Sequence, residues 1–402
     1  MGDTVGSDAV RYRTLLTDSA LISVLFISGV AAFGMNAVPV ALPAVGTEFH
    51  LTETEIGLVM SVFSVANLPM ILVSSVLADI YGRRAVVIPS LLVFGLSGLA
   101  TLWAPSYLAL LALRAVQGFS FAATIPLATT LTGDLYTGAE GSAAQGIRSG
   151  LNGLAATAAP IAAGVLVAMA WQYPFALFAL AIPVAGLVYL FYPEPVEPRK
   201  RRAGVSFLSE FREYVLDIWS AVDPSLALPF AGGFVLFFLK GVVRTFLAVF
   251  VTTGLGASVA VAGTVLGVYG GARVLMAPLS GTLVARLGRR TTLLFGTCAV
   301  ALGMFGVPLA PNLWVVGLAA VCYGGGEGVL NPVLNDAVAA FASVDQRAGI
   351  VSGLMLSKQV AIIVSPPLVG LVIGLYGFAT AFLLTGALAV AYALLLLVAR
   401  RP

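Results

Sequence analysis

Long apolar runs, each broken by a short polar connection, set the rhythm of this chain. A helix rises about 1.5 Å per residue, so roughly 20 apolar residues are needed to cross the hydrocarbon core of a bilayer. The pattern predicts twelve such spans, at 20–44, 55–79, 85–103, 107–132, 146–168, 173–192, 226–252, 257–283, 291–309, 313–338, 349–373 and 378–399. Their connections are short except for residues 193–225, between the sixth and seventh.

Two of the breaks repeat each other. Asp79-Ile80-Tyr81-Gly82-Arg83-Arg84 returns 206 residues later as Ala285-Arg286-Leu287-Gly288-Arg289-Arg290. The same offset pairs Pro105 with Pro311, Gly118 with Gly324, Pro126 with Pro332, Pro160 with Pro366 and Gly164 with Gly370. A long internal period reads as a duplicated unit. The expected organisation is a six-helix bundle over 1–192, a linker over 193–225 and a second six-helix bundle over 226–402.

Composition fixes the solvent. Of 402 residues, 59% are hydrophobic and 10% charged, against about 25% charged in a soluble globule. Mean hydropathy is +1.02. The sixteen basic residues assigned to connections and termini, among them Arg11, Arg83, Arg84, Arg148, Arg199, Arg290 and Arg400, fall only at the termini or in even-numbered connections. The positive-inside rule then puts both termini and the linker on the cytoplasmic side of a multi-pass cell-membrane protein. The polar start and the long first apolar run argue against a cleaved signal peptide.

The linker carries the basic run Arg199 to Arg202 and then an amphipathic pattern over 207–219 expected to lie on the membrane surface. Cys298 and Cys322 have no metal-like spacing and are expected as small core residues.

Candidate chemistry resides in the charges that topology leaves unexplained. Arg114, Lys240, Arg244, Arg273 and Lys358 lie within spans, with Glu327 as the acidic residue near mid-membrane. Asp134 and Asp336 fall closer to helix ends. A charge at bilayer centre costs at least about 2.5–3.5 kcal/mol, so each must face a cavity or a partner. Lys240 and Arg244 are four apart on one helix face, and Glu327 is expected opposite them. Two roles for Glu327 stay open: a proton carrier, or a permanent ion-pair partner of Lys240, Arg244 or Lys358. Phe26, Phe33, Phe63, Phe121, Phe237 and Phe238 could wall an apolar cavity, against the ordinary role of each singly in core packing or facing lipid, with Met35 and Asn36 as further contacts.

An enzyme is not indicated: His50 is the only histidine, no metal cluster or cofactor motif stands out, and Gly324 to Gly328 lacks the strand context of a nucleotide loop. That glycine-rich stretch reads as close packing within a helix.

The repeated break resembles the loop signature of the major facilitator superfamily, Gly-x-Leu-Ala-Asp-Arg-x-Gly-Arg-Arg. The first copy, Ser75 to Arg84, keeps Asp79, Gly82, Arg83 and Arg84 but has Ser75 and Ile80 where glycine and arginine belong. The second, Gly281 to Arg290, keeps Gly281 and Arg286, with the repeated Gly288, Arg289 and Arg290, but carries Ala285 in place of the aspartate. Arg114-Ala115-Val116-Gln117-Gly118 resembles the Arg-x-x-Gln-Gly motif of the proton-coupled antiporters of that superfamily. Ala155 to Gly164 matches their fifth-helix motif only at Pro160 and Gly164, and the first helix lacks the acidic residue of their Asp-x-x-x-x-Asn-x-Ala-Leu-Pro stretch.

The resemblance implies an all-α membrane protein with twelve transmembrane helices in two pseudo-symmetric six-helix bundles, working by alternating access. It implies proton-coupled efflux of small amphipathic compounds, with Glu327 and Arg114 in proton coupling. Asn36, Met35, Lys240, Arg244, Arg273 and Lys358 would line the substrate cavity, and Asp79, Gly82, Arg83, Arg84, Gly288, Arg289 and Arg290 would form gates. The basic excess in the spans leaves a second reading, uptake or exchange of a small organic anion. Expected partners are a small-molecule substrate, protons and the bilayer, with no nucleic acid and a monomeric chain.

Overall fold

A computed structural model describes residues 12–192, Arg212, 226–341 and 347–398. The predicted amphipathic stretch over 207–219 and the basic run before it lie outside the described residues, Arg212 excepted. A short helix, Tyr12–Thr17, leads into the spans. These are α1 (Ser19–Glu48), α2 (Glu53–Tyr81), α3 (Arg83–Ala100), α4 (Tyr107–Phe121, resumed as Ile125–Leu135), α5 (Gly138–Met169) and α6 (Tyr173–Phe191). The second set is α7 (Ala227–Val249, ending in a wider turn Phe250–Gly254), α8 (Val259–Met276, resumed as Leu279–Leu287), α9 (Arg289–Gly306) and α10 (Leu313–Phe341). One hydrogen-bonded run, Arg347–Val398, turns at Gly377 and supplies α11 (347–376) and α12 (378–398).

The polar breaks act as caps. Asp18 accepts a bond from the Ala20 amide at the start of α1, and Thr52 and Glu55 form a reciprocal capping box on α2. Between α2 and α3, and again between α8 and α9, a single residue reverses the chain. Gly82 has φ 94° and Gly288 φ 79°, a region closed to most side chains, which explains why glycine stands at both copies of the repeated turn. Both turns lie at one end of the bundle, here termed the arginine end.

The duplication is physical. A β-carbon on Gly118 would lie 2.1 Å from the Phe63 carbonyl oxygen, and one on Gly324 would lie 2.3 Å from that of Tyr269. Both members of this pair of contacts are displaced by the same 206 residues, so α2 crosses α4 as α8 crosses α10. The two sets of helices meet in the same paired way: Gly57 abuts the Pro366 carbonyl and Gly263 abuts the Pro160 carbonyl, towards the end opposite the arginine turns. Backbone reaches backbone at these crossings, the usual basis of tight helix association where lipid competes equally for apolar side chains.

Two expectations are corrected, and a third feature is placed. Arg148 lies inside α5, which begins at Gly138, and is buried against α1 instead of marking a connection. Cys298 is exposed on the outer surface and Cys322 half-buried, because both occupy helix faces turned from their neighbours. Phe26 and Phe33, two helical turns apart, share the outward face of α1 and border an apolar groove of about 290 Å³ between α1, α5 and α6.

Candidate functional site

The face of α10 turned towards α7, α8 and α11 carries polar residues at every fourth position: Tyr323, Glu327, Asn331 and Asn335. Side chains four apart stack on one helix face, so this stripe forms a ladder through the carboxy-terminal helices. Glu327 is its charged rung and is 1% exposed. Its Oε1 lies 2.7 Å from Lys240 Nζ of α7 and 3.9 Å from Arg273 Nη1 of α8. The Tyr269 hydroxyl of α8 donates to its Oε2 at 2.5 Å. One carboxylate therefore ties three helices together. The Gly-rich stretch around it is an unbroken helix, with Gly328 set against the Arg273 carbonyl.

Lys358 of α11 donates to Asn331 Oδ1 at 3.0 Å and Asn335 Oδ1 at 2.6 Å. Its ammonium lies 4.9 Å from the Phe237 ring centroid, and that of Lys240 lies 4.8 Å from the same ring. Cation–π attraction is strengthened where water is scarce.

Arg244 reaches the other way, donating from Nη2 to the Met35 carbonyl of α1 at 2.8 Å. That acceptor is free for a reason legible in the chain: Pro39, four residues on, has no N–H to return to it. Ser61 likewise donates to the Ile363 carbonyl, at 2.6 Å, where Pro367 stands four residues on. Two bonds between the amino- and carboxy-terminal helices thus use carbonyls released by proline.

Arg114 is 3% exposed and sits apart from the Glu327 cluster in its bonding. It donates to the Val59 carbonyl at 3.1 Å and to Gln117 Oε1 at 2.8 Å, over the Phe63 ring at 4.5 Å. Gln117 passes the network on to the Ser97 carbonyl and Thr101.

The structure brings Lys240 and Arg273 onto Glu327. Arg244 instead bonds α1, and Lys358 bonds amides, because each meets a nearer neutral acceptor. Met35 contributes its carbonyl, while Asn36 borders a small cavity and bonds its own helix at Ala32. Phe63, Phe121, Phe237 and Phe238 point inward, Phe63 beneath Arg114 and Phe237 beneath the lysines.

At the arginine end Arg83 pairs with Asp134 of α4 at 3.3 Å, and the Asp79 side chain lies outside the described residues. Arg84 donates to the Tyr189 carbonyl at the end of α6, and Arg290 to those of Leu396 and Leu397 at the end of α12. Sequence reasoning missed Tyr269, Tyr323, Asn331 and Asn335. The fourfold spacing on α10 was the signal available for three of them. It also missed the buried Arg148, which contacts Ser28 at 3.4 Å and Gln145 at 3.0 Å.

Twelve spans in two related sets, around a buried charged cluster that joins several helices, define a multi-pass membrane transporter of small molecules. Residues 24–239 and 229–402 each match the sequence pattern of the Major Facilitator Superfamily, and the chain belongs to that family. The multidrug resistance protein Stp of Mycobacterium tuberculosis (strain CDC 1551 / Oshkosh) is 25% identical over 376 residues, covering 80% of this chain and 69% of Stp. The bacillibactin exporter of Bacillus subtilis (strain 168) is 27% identical over 153 residues, 36% of this chain and 38% of that one. The crystal structure of the nucleoside transporter NupG superposes with a TM-score of 0.79 at 15% identity, covering 94% of this chain and 98% of that one, and shares the fold.

Proposed function

We propose that this transporter exports small amphipathic compounds in exchange for protons, with Glu327 carrying the proton. The observation behind this reading is the position of Glu327, one carboxylate holding Lys240, Arg273 and Tyr269 from two other helices. Adding a proton there removes the charge that binds α7 and α8 to α10, so protonation and helix packing are linked. Export accords with the relation to Stp. Residues 1–192 and 226–402 move as two bodies about the cluster, and Arg83 with Asp134 steadies one state at the arginine end. Arg114, held by neutral groups, supports the coupling through α4. The protein is monomeric in the cell membrane, with the arginine end and both chain termini facing the cytoplasm.

A second reading, transport of a small organic anion, draws on a different observation. Arg114, Arg244 and Lys358 are satisfied by neutral acceptors, which leaves the interior strongly positive.

Energised inside-out vesicles with a pH-sensitive dye test the first reading. Lipophilic cations, neutral amphiphiles and small carboxylates are added in turn to wild type and Glu327→Gln. Dissipation of the gradient by an amphiphile with wild type alone is the expected result. Exchange of preloaded carboxylate, with no compound dissipating the gradient, overturns export and favours the anion reading.

A further inference from the structure

The groove between α1, α5 and α6 opens on the outer surface of the helices, and every side chain lining it is apolar. Gly29 of α1 with Ala155 and Ala158 of α5 makes a floor of small residues, and Phe26, Leu154 and Leu180, each roughly half exposed or more, stand as its rims. Its depth in the membrane follows from α6, which crosses in 19 residues, Tyr173–Phe191. That length rises about 28 Å, close to the thickness of the hydrocarbon core. Leu177 and Leu180 stand about 6 and 10 Å inside its Tyr173 end, the end opposite the arginine turns. Gly34 packs on Phe178, which sets the Phe33 end of the groove at this level, and Phe26 carries the groove about 10 Å further along α1. The groove therefore begins below the membrane boundary remote from the arginine end and closes near mid-bilayer.

We infer that the groove is a site for one acyl chain of a phospholipid in the leaflet remote from the arginine end, and that this chain completes the packing of α1 on α5 and α6. Water is a poor occupant, since an ordered water needs two to four polar partners and no polar side chain lines the groove. The volume of about 290 Å³ takes roughly ten methylene-sized groups, each near the ~30 Å³ share of a liquid water. Those are the distal carbons of an ordinary acyl chain, and a chain anchored by its ester at the boundary brings its distal carbons to this depth. A helix of a second copy, about 10–12 Å across with its side chains, is too broad to enter.

Ala155 lines the groove, while its neighbour Ala156 lines the small cavity beside Arg244 and Arg273. The contact of α1 with α5 thus separates the lipid chain from the charged cluster, and the site lies outside the transport path. The chain sits behind two helices that meet the carboxy-terminal set: α1, whose Met35 carbonyl holds Arg244, and α5, whose Pro160 carbonyl meets Gly263. An unfilled groove forfeits dispersion contacts along its lining. A chain within it restores them and stiffens the amino-terminal side of both contacts.

The test uses purified full-length protein in mixed micelles, with a phosphatidylcholine brominated in the distal half of one acyl chain as the probe. Bromine quenches an indole that it touches. Phe26→Trp places a reporter at the rim of the groove, and Leu302→Trp, on the exposed face of α9, reports the lipid that coats any membrane protein. The wild-type signal is subtracted from each. Phe26→Trp is expected to reach half-quenching at about tenfold less brominated lipid than Leu302→Trp, a preference of about 1.4 kcal/mol. Adding Ala158→Phe, which fills the groove, is expected to move the Phe26→Trp curve onto that of Leu302→Trp and to remove the rise in melting temperature that lipid gives wild type. If Ala158→Phe does not yield folded protein, Ala158→Leu serves as the smaller plug. Coincident curves for the two reporters, which detergent held as firmly as lipid would produce, overturn the site, as does a Phe26→Trp curve that no plug shifts. A dimer that Ala158→Phe converts to monomer would assign the groove to a second chain and overturn the lipid site as well.

Discussion

Arg244 of α7 donates 2.8 Å across the midline to the Met35 carbonyl of α1, which Pro39 has left without its helical N–H. Proline in a helix interior costs about 3 kcal/mol relative to alanine, less where the freed carbonyl finds another donor. Pro39→Ala restores the N–H and places it in competition with Arg244. The expected outcome is a gain of about 1–2 kcal/mol in thermal stability together with slower transport, since one tie between the two sets of helices is weakened. Melting in detergent and initial rates in proteoliposomes check this. A stability loss would mean that the bend made by Pro39 is itself required for packing.

The pair of Lys240 and Glu327 is buried at both ends, with side-chain exposures of 12% and 1%. Breaking a buried pair leaves an uncompensated charge and costs about 3–5 kcal/mol. Glu327→Gln strands Lys240 and Arg273 together, whereas Lys240→Met leaves Glu327 with Arg273 and the Tyr269 hydroxyl. Glu327→Gln is therefore expected to be the less stable variant, and the double variant Lys240→Met/Glu327→Gln to recover more than half of its loss. A cycle of thermal unfolding measurements on the four proteins checks the order. Additive losses would show that the two residues do not act as a pair.

Gly118 and Gly324 answer to the duplication directly. A methyl group at either would come within 2.1 or 2.3 Å of a carbonyl oxygen on the crossing helix, and backbone cannot swing aside as a side chain can. Gly118→Ala and Gly324→Ala are each expected to cost at least about 1–3 kcal/mol as the crossing is forced apart. Gly317→Ala, where nothing lies within 4 Å, is the comparison. It is expected to be neutral or stabilising by about 0.5–1 kcal/mol, the ordinary helix preference for alanine. Similar melting for all three would remove the argument that these glycines permit the crossings.

Much of this architecture was legible because the bilayer enforces simple rules. Apolar run length marked the spans, and the shared 206-residue offset marked the pairing of Gly118 with Gly324 before any contact was known. Lys240 and Glu327 stood out because isolated charges in spans demand partners. What the chain concealed was rotation about helix axes. Cys298 and Phe26 look like core residues by type, yet face outward, since every face of a membrane helix is apolar and pattern alone does not say which one meets protein. Arg148 was misplaced because its basic charge near a span end resembles a topology signal. The roles of Met35 and Ile363 were hidden in their carbonyls, and the prolines four residues on were the available clue.

The arginines of the two repeated turns are expected to divide into two kinds. Arg84 and Arg290, 206 residues apart, each dock on the last carbonyls of the final helix in their own half, at Tyr189 and at Leu396 and Leu397. Those carbonyls fall in the last turn of the described helices, at the negative end of the helix dipole. Arg84→Ala and Arg290→Ala should each lower stability by about 0.5–2 kcal/mol, and the surviving folded protein should transport normally. Arg83 instead pairs with Asp134 at 3.3 Å with both side chains partly exposed, at 15% and 21%, and such a pair contributes about 0–1 kcal/mol to stability. Its value lies in joining the turn to α4. Arg83→Ala should therefore melt close to wild type yet transport slowly, and the exchanged pair Arg83→Asp/Asp134→Arg should restore part of the rate. Melting and initial rates on the same preparations separate the two kinds. If Arg83→Ala lost stability while keeping its rate, the pair would be a fastening of the same sort as Arg84, and the gate would have to be sought elsewhere at that end.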